Sequence, residues 1–187
     1  MYHVSVSTMV FALFMMPSAS AQQSPAPAGK AFTLSGEILR GYQDVQRNLA
    51  EAAEKMPEEH YDFRPTPEIK PFGQLVAHVA LAQFRACAML TTEPNPRKDE
   101  KEDTSRSRAG ALALLKASTA YCDPLVSRLT ESAMTEMTKV GQNQVAKGLI
   151  PVELVTHGME MYGTMAVYLR LKGIVPPTTE RQKQQMK

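Results

Sequence analysis

The sequence predicts an all-α protein built as a four-helix bundle. Three observations carry this. Four stretches either repeat apolar residues at steps of three and four or are apolar nearly throughout, as helices facing a core do. No stretch alternates apolar and polar residues convincingly enough to be read as a strand. The last stretch, residues 151 to 173, has both ends marked. Pro151 suits a first helical turn, where its missing N–H would be unpaired anyway. Gly173 suits the position just past the end, where a left-handed backbone is cheap only without a side chain.

Residues 1 to 21 read as a signal peptide. Val10 to Met16 is apolar, Pro17 breaks the run, and Ala19-Ser20-Ala21 is an A-x-A cleavage site. The run is too short to span a bilayer, and charges interrupt every later apolar stretch, so no membrane span is expected. Residues 22 to 32, rich in Gln, Ser, Pro, Ala and Gly, read as a flexible spacer. The chain would then work in the periplasm or be secreted.

Residues 33 to 56 form the first expected helix, with Leu34, Ile38, Tyr42, Val45, Leu49, Ala53 and Met56 on one stripe. Residues 57 to 71 hold four prolines, with Tyr61 and Phe63 as apolar anchors among them. The second helix, 71 to 91, is apolar almost all round and so central. It carries His78, expected to be buried and to need an acid, a carbonyl or a metal for its ring. Residues 92 to 108 are a run of mixed charge, read as a solvated link. The third helix spans 109 to 130, with a kink at Pro124 or a break after Asp123. Residues 131 to 150 read as irregular. The fourth helix follows, Pro176-Pro177 closes the packed domain of residues 33 to 177, and 178 to 187 is a polar tail.

Composition narrows the function. With 43% hydrophobic and 21% charged residues the chain is globular. A net charge of +2, with six Phe, six Tyr and no Trp, argues against nucleic acid as a partner. Twelve methionines are many, and plastic core filling is their ordinary use. In an oxidising compartment, one disulfide between Cys87 and Cys122 is the economical reading; two buried thiols are the alternative. Within the last helix, His157 and Met161 lie four apart and therefore on one face, where a pair of ligands can grip a single ion.

Several blocks resemble the DinB-like superfamily. They are Pro57-Glu58-Glu59-His60-Tyr61-Asp62-Phe63-Arg64-Pro65, Phe72-Gly73-Gln74-Leu75-Val76-Ala77-His78-Val79, His157 to Gly163, and Tyr168 to Pro177. The resemblance covers roughly residues 33 to 177 and looks closest to exported members. It implies a four-helix bundle with a divalent metal site, one His on the second helix and His-x-x-x-His on the last. The first position is His78, the second His157, and the third is occupied by Met161, a departure. Three imidazoles plus an open position suit zinc or nickel; a thioether in place of one favours softer ions such as copper(I).

Two readings of function follow. One is an exported metal-binding protein, of thiol-transferase or hydrolase type, acting on a small molecule. The other is a non-catalytic bundle with a degenerate site, serving as a binding or structural module. Whether two bundles pair as a homodimer is left open.

Overall fold

The structure is a computed structural model that describes residues 32–105 and 107–186. The expected signal peptide and nearly all of the spacer lie outside the described residues. The elements run α1 (Leu34–Lys55), a 3-10 turn (Glu58–His60), α2 (Phe72–Ala88), a second 3-10 turn (Glu102–Ser105) and α3 (Arg108–Val126). They continue with α4 (Glu131–Thr135), β1 (Met137–Val140), β2 (Asn143–Ala146), α5 (Leu149–Leu171) and α6 (Pro177–Gln185). The fold is mainly helical, and α1, α2, α3 and α5 form the four-helix bundle.

Side-chain contacts fix the direction of each helix. Tyr42 near the start of α1 donates to Asp123 near the end of α3, and Arg108 at the start of α3 reaches the carbonyls of Glu54 and Met56. These two helices are therefore antiparallel. Gln83 meets Ser118 and Cys87 meets Cys122, so α2 and α3 advance together. Gly41 lies against Val155 and Gly158 against Val45, so α1 and α5 are parallel too. The bundle runs up, down, down, up. Its main pairs are α2 with α3 and α1 with α5, and α2 with α5 and α1 with α3 complete the ring.

This topology puts a demand on the link between α2 and α3. Two parallel neighbours cannot be joined by a tight turn. The chain has to travel back along α2, whose 17 residues span about 25 Å at 1.5 Å rise per residue. Residues 89–107 make that return. The charged run read as a solvated link is thus a crossover lying against the bundle, and its 3-10 turn packs on α2 and α3.

The ends of the helices follow capping chemistry. Thr33 accepts the Gly36 N–H at the start of α1 and Ser107 accepts the Gly110 N–H at the start of α3. At the end of α5, Gly173 has φ +72, its N–H bonds the Arg170 carbonyl, and the Ile174 N–H bonds that of Leu169. That is a Schellman closure.

Three expectations are corrected. The third helix does not break after Asp123 but runs through Pro124 to Val126. Pro124 removes one helical bond, the one to the Ala120 carbonyl, but only two residues of helix follow it, so little helix is left to bend. Residues 131 to 150 are not irregular, because β1 and β2 pair antiparallel with Val140 opposite Asn143. Gly141, at φ +61, supplies the left-handed first position of the two-residue turn. Thr138 donates to the Met89 carbonyl and so pins the hairpin to the end of α2. The segment after Pro176 is not a tail but a helix, since Pro177 occupies a first-turn position that suits it. Tyr162 and Thr178 share a hydrogen bond at 2.7 Å, Lys55 pairs with Glu180 at 2.9 Å, and Arg181 binds Glu51 and Asn48 of α1.

The core is built from Leu49, Met56, Phe72, Val76, Met165, Tyr168 and Leu169, all at most 2% exposed. A buried polar network crosses it. Gln83 donates to Gln46 at 2.9 Å, and Ser118 donates to Gln83 at 2.7 Å. Beside this network Cys87 and Cys122 are joined as a disulfide between α2 and α3.

Candidate metal centre

His78 projects from the middle of α2. It is half-buried rather than buried, with 28% of its side chain exposed, because it faces the crossover side of the bundle. Its Nδ1 lies 2.7 Å from Glu102 Oε1. Of the three partners that the sequence left open for this ring, the structure supplies the acid. The other Glu102 oxygen accepts from Lys70 Nζ at 2.6 Å and from Gln74 Nε2 at 3.3 Å. Burial alone would push the Glu102 carboxyl up. The hydrogen bonds and charges of Lys70 and His78 outweigh it and hold the group below the usual carboxylate value.

His157 faces His78 from α5. The two ring centres are 5.4 Å apart and the planes are inclined by 60°. Burial lowers the His157 pKa first; the neighbouring His78 and Arg85 lower it further, against Glu160 and Glu153, which raise it. The ring is therefore neutral at pH 7, the state in which imidazole binds metals. Met161 follows one turn later, half-buried against the main core. His60 sits in the first 3-10 turn, and no described contact brings it to either histidine.

Two clefts meet at this place. One, of about 120 Å³, is lined by Arg85, Glu153, His157 and Gly158 among others. The other, of about 630 Å³, lies between α2 and the crossover and is lined by Gln74, His78, Arg85, Arg97 and Glu102 among others. Arg85 borders both.

The donor set can be tested against a bound ion. Two imidazoles on one tetrahedral ion, each nitrogen about 2.0–2.1 Å from it, have ring centres about 5 Å apart. The observed separation fits such a pair. Among the described residues no third His, Cys, Asp or Glu completes a group of three. The residues therefore fit an ion held through two imidazoles, and they do not reproduce a three-histidine site.

The sequence profile of the DinB superfamily matches residues 42–160, which takes in most of α1, all of α2 and α3 and the first half of α5. The chain belongs to the DinB superfamily. Solved structures agree on the fold. A DinB-like protein from Bacillus cereus ATCC 10987 superposes with a TM-score of 0.62 at 14% identity, covering 76% of this chain and 95% of that one. YfiT from Bacillus subtilis, described as a probable metal-dependent hydrolase with an unusual four-helix bundle topology, gives 0.58 at 17% identity, covering 80% and 94%. The DinB-like protein YjoA from Bacillus subtilis gives 0.57 at 18%, covering 73% and 92%. No curated protein matches this DinB-superfamily chain.

Glu102 is the site residue that sequence reasoning missed. Its signal was present in two halves: a histidine in a helix apolar all round, and a nearby run containing Asp99, Glu100, Glu102 and Asp103. Nothing in the spacing says which acid the crossover delivers to the ring.

Proposed function

We propose that the chain binds one metal ion between α2 and α5, with His78 and His157 as nitrogen ligands and Met161 as a weaker third. The observation that carries this reading is the facing pair of imidazoles, 5.4 Å between centres, on two helices of the bundle. The description of YfiT as a probable metal-dependent hydrolase supports it at the level of the fold. When bound, such an ion supplies Lewis-acid polarisation for a reaction of hydrolase or thiol-transferase type. The cleft of about 630 Å³ beside His78 has room for a small-molecule substrate. Imidazole donors suit zinc or nickel, and the Met161 thioether draws the preference toward copper(I).

A second reading has one observation in its favour. No third His, Cys, Asp or Glu joins the pair among the described residues. On that reading the bundle is a non-catalytic binding or structural module in which Glu102 satisfies His78 and neither histidine holds an ion.

Elemental analysis of residues 22 to 187, prepared without a polyhistidine tag and loaded separately with zinc, nickel and reduced copper, separates the two. One equivalent in the native chain, lost in His78→Ala, is the expected result. No metal in the native chain but one equivalent in Met161→His would establish the second reading.

We also propose that the protein is exported, to the periplasm or beyond. The leader-like pattern of residues 1 to 21 supports this, and so does a disulfide of the kind that persists in oxidising compartments.

A further inference from the structure

We infer that Glu102 is the positioning residue of this site: it holds His78 as the tautomer protonated on Nδ1, leaving the Nε2 lone pair free. The inference rests on the metal reading above only for its purpose; the tautomer itself follows from the hydrogen bond. An ionised carboxylate can only accept. At 2.7 Å from Glu102 Oε1, Nδ1 must therefore carry the proton. In the neutral ring the remaining nitrogen, Nε2, then has the free lone pair that a metal requires.

The carboxylate is itself held. Lys70 and Gln74 grip its second oxygen at 2.6 and 3.3 Å. Lys70 is tied in turn, since its carbonyl accepts the Tyr168 hydroxyl of α5 at 2.7 Å. A chain of contacts thus runs from α5 through Lys70 and Glu102 to His78 on α2. The crossover explains why an acid lies there at all. Parallel α2 and α3 oblige residues 89–107 to return past His78, and the 3-10 turn that begins at Glu102 ends that return. Carboxylates that take the second ring N–H of a metal-binding histidine fix both its tautomer and its orientation, and their loss weakens metal binding by about ten- to a hundredfold.

The test uses histidine labelled with nitrogen-15 in the metal-free chain at mildly alkaline pH, with His78→Gln assigning the resonance. Long-range proton–nitrogen spectra distinguish the tautomers. The native chain should show His78 protonated on Nδ1, Glu102→Ala should lose that preference, and Glu102→Gln, which keeps a carbonyl acceptor, should retain it. A native His78 protonated on Nε2, or an unchanged tautomer in Glu102→Ala, overturns the inference. Glu102→Gln also guards against misfolding, since it should melt within a few degrees of the native chain. Nickel competition titrations form the second arm. A ten- to hundredfold weaker affinity in Glu102→Ala supports the positioning role, and equal affinity overturns it. If neither chain takes up nickel, zinc or reduced copper, the metal reading falls, while the spectra still decide what Glu102 does to His78.

Discussion

Gly158, next to His157, occupies a position that no side chain fits. A Cβ there would lie 2.4 Å from Val45 Cγ1, and Val45 is itself 1% exposed with no room to retreat. The missing side chain lets α5 approach α1 at this height. Gly163, five residues on in the same helix, has nothing within 4 Å of its would-be Cβ. The two glycines should therefore respond oppositely to alanine. Gly158→Ala should destabilise by about 1–3 kcal/mol through overpacking, more than the roughly 1 kcal/mol that alanine gains by helix propensity. Gly163→Ala should stabilise by about 0.5–1 kcal/mol. Urea midpoints measure both, and an unchanged or raised midpoint for Gly158→Ala would mean that packing at Gly158 does not govern. The same scale explains Met161. Its side chain packs against the core, whereas Met56 and Met165 lie fully inside it. Met137, Met159 and Met186 are exposed instead, so core filling accounts for only some of the methionines.

At the scale of elements, α2 is the helix on which the others depend. It pairs with α3 and α5, carries His78 outward, and sends Gln83 into the core to meet Gln46 and Ser118. Its tie to α3 is covalent as well as packed. The Cys87–Cys122 bond spans 35 residues and encloses the crossover. In the chain-entropy treatment a closed loop of that length stabilises by about 3–4 kcal/mol. Reductant should therefore lower the urea midpoint of the native chain by an amount that the Cys87→Ser/Cys122→Ser double variant already shows without it. A native chain indifferent to reductant would show that α2 and α3 are held by packing alone. Because the crossover also carries Glu102, a looser α2–α3 pair should disturb the site before it unfolds the bundle. The hairpin escaped sequence reading for a different reason. Two strands of four residues are too short to show a period, and only Gly141 marks their turn.

For the whole molecule, the export proposal makes a prediction about its amino terminus. An exported chain cleaved after Ala21 should be recovered from the periplasm or medium with Gln22 at its amino terminus, a result that intact mass reads directly. Recovery only as the full 187 residues from the cell interior would remove the export proposal. The helical class, the four main helices to within a few residues, and the family were legible in the chain alone. Each of these rests on local pattern: apolar periodicity, Pro and Gly at helix ends, and short blocks of side chains in a fixed order. His78, His157 and Met161 were singled out by the same means, through their places on two helices. Only the tertiary structure decided the up-down-down-up order, the docking of α6 on α1 and the delivery of Glu102 to His78. These depend on which distant surfaces meet. A helix reports which of its faces is apolar, but not which neighbour covers that face or which acid of a charged crossover comes to rest against it.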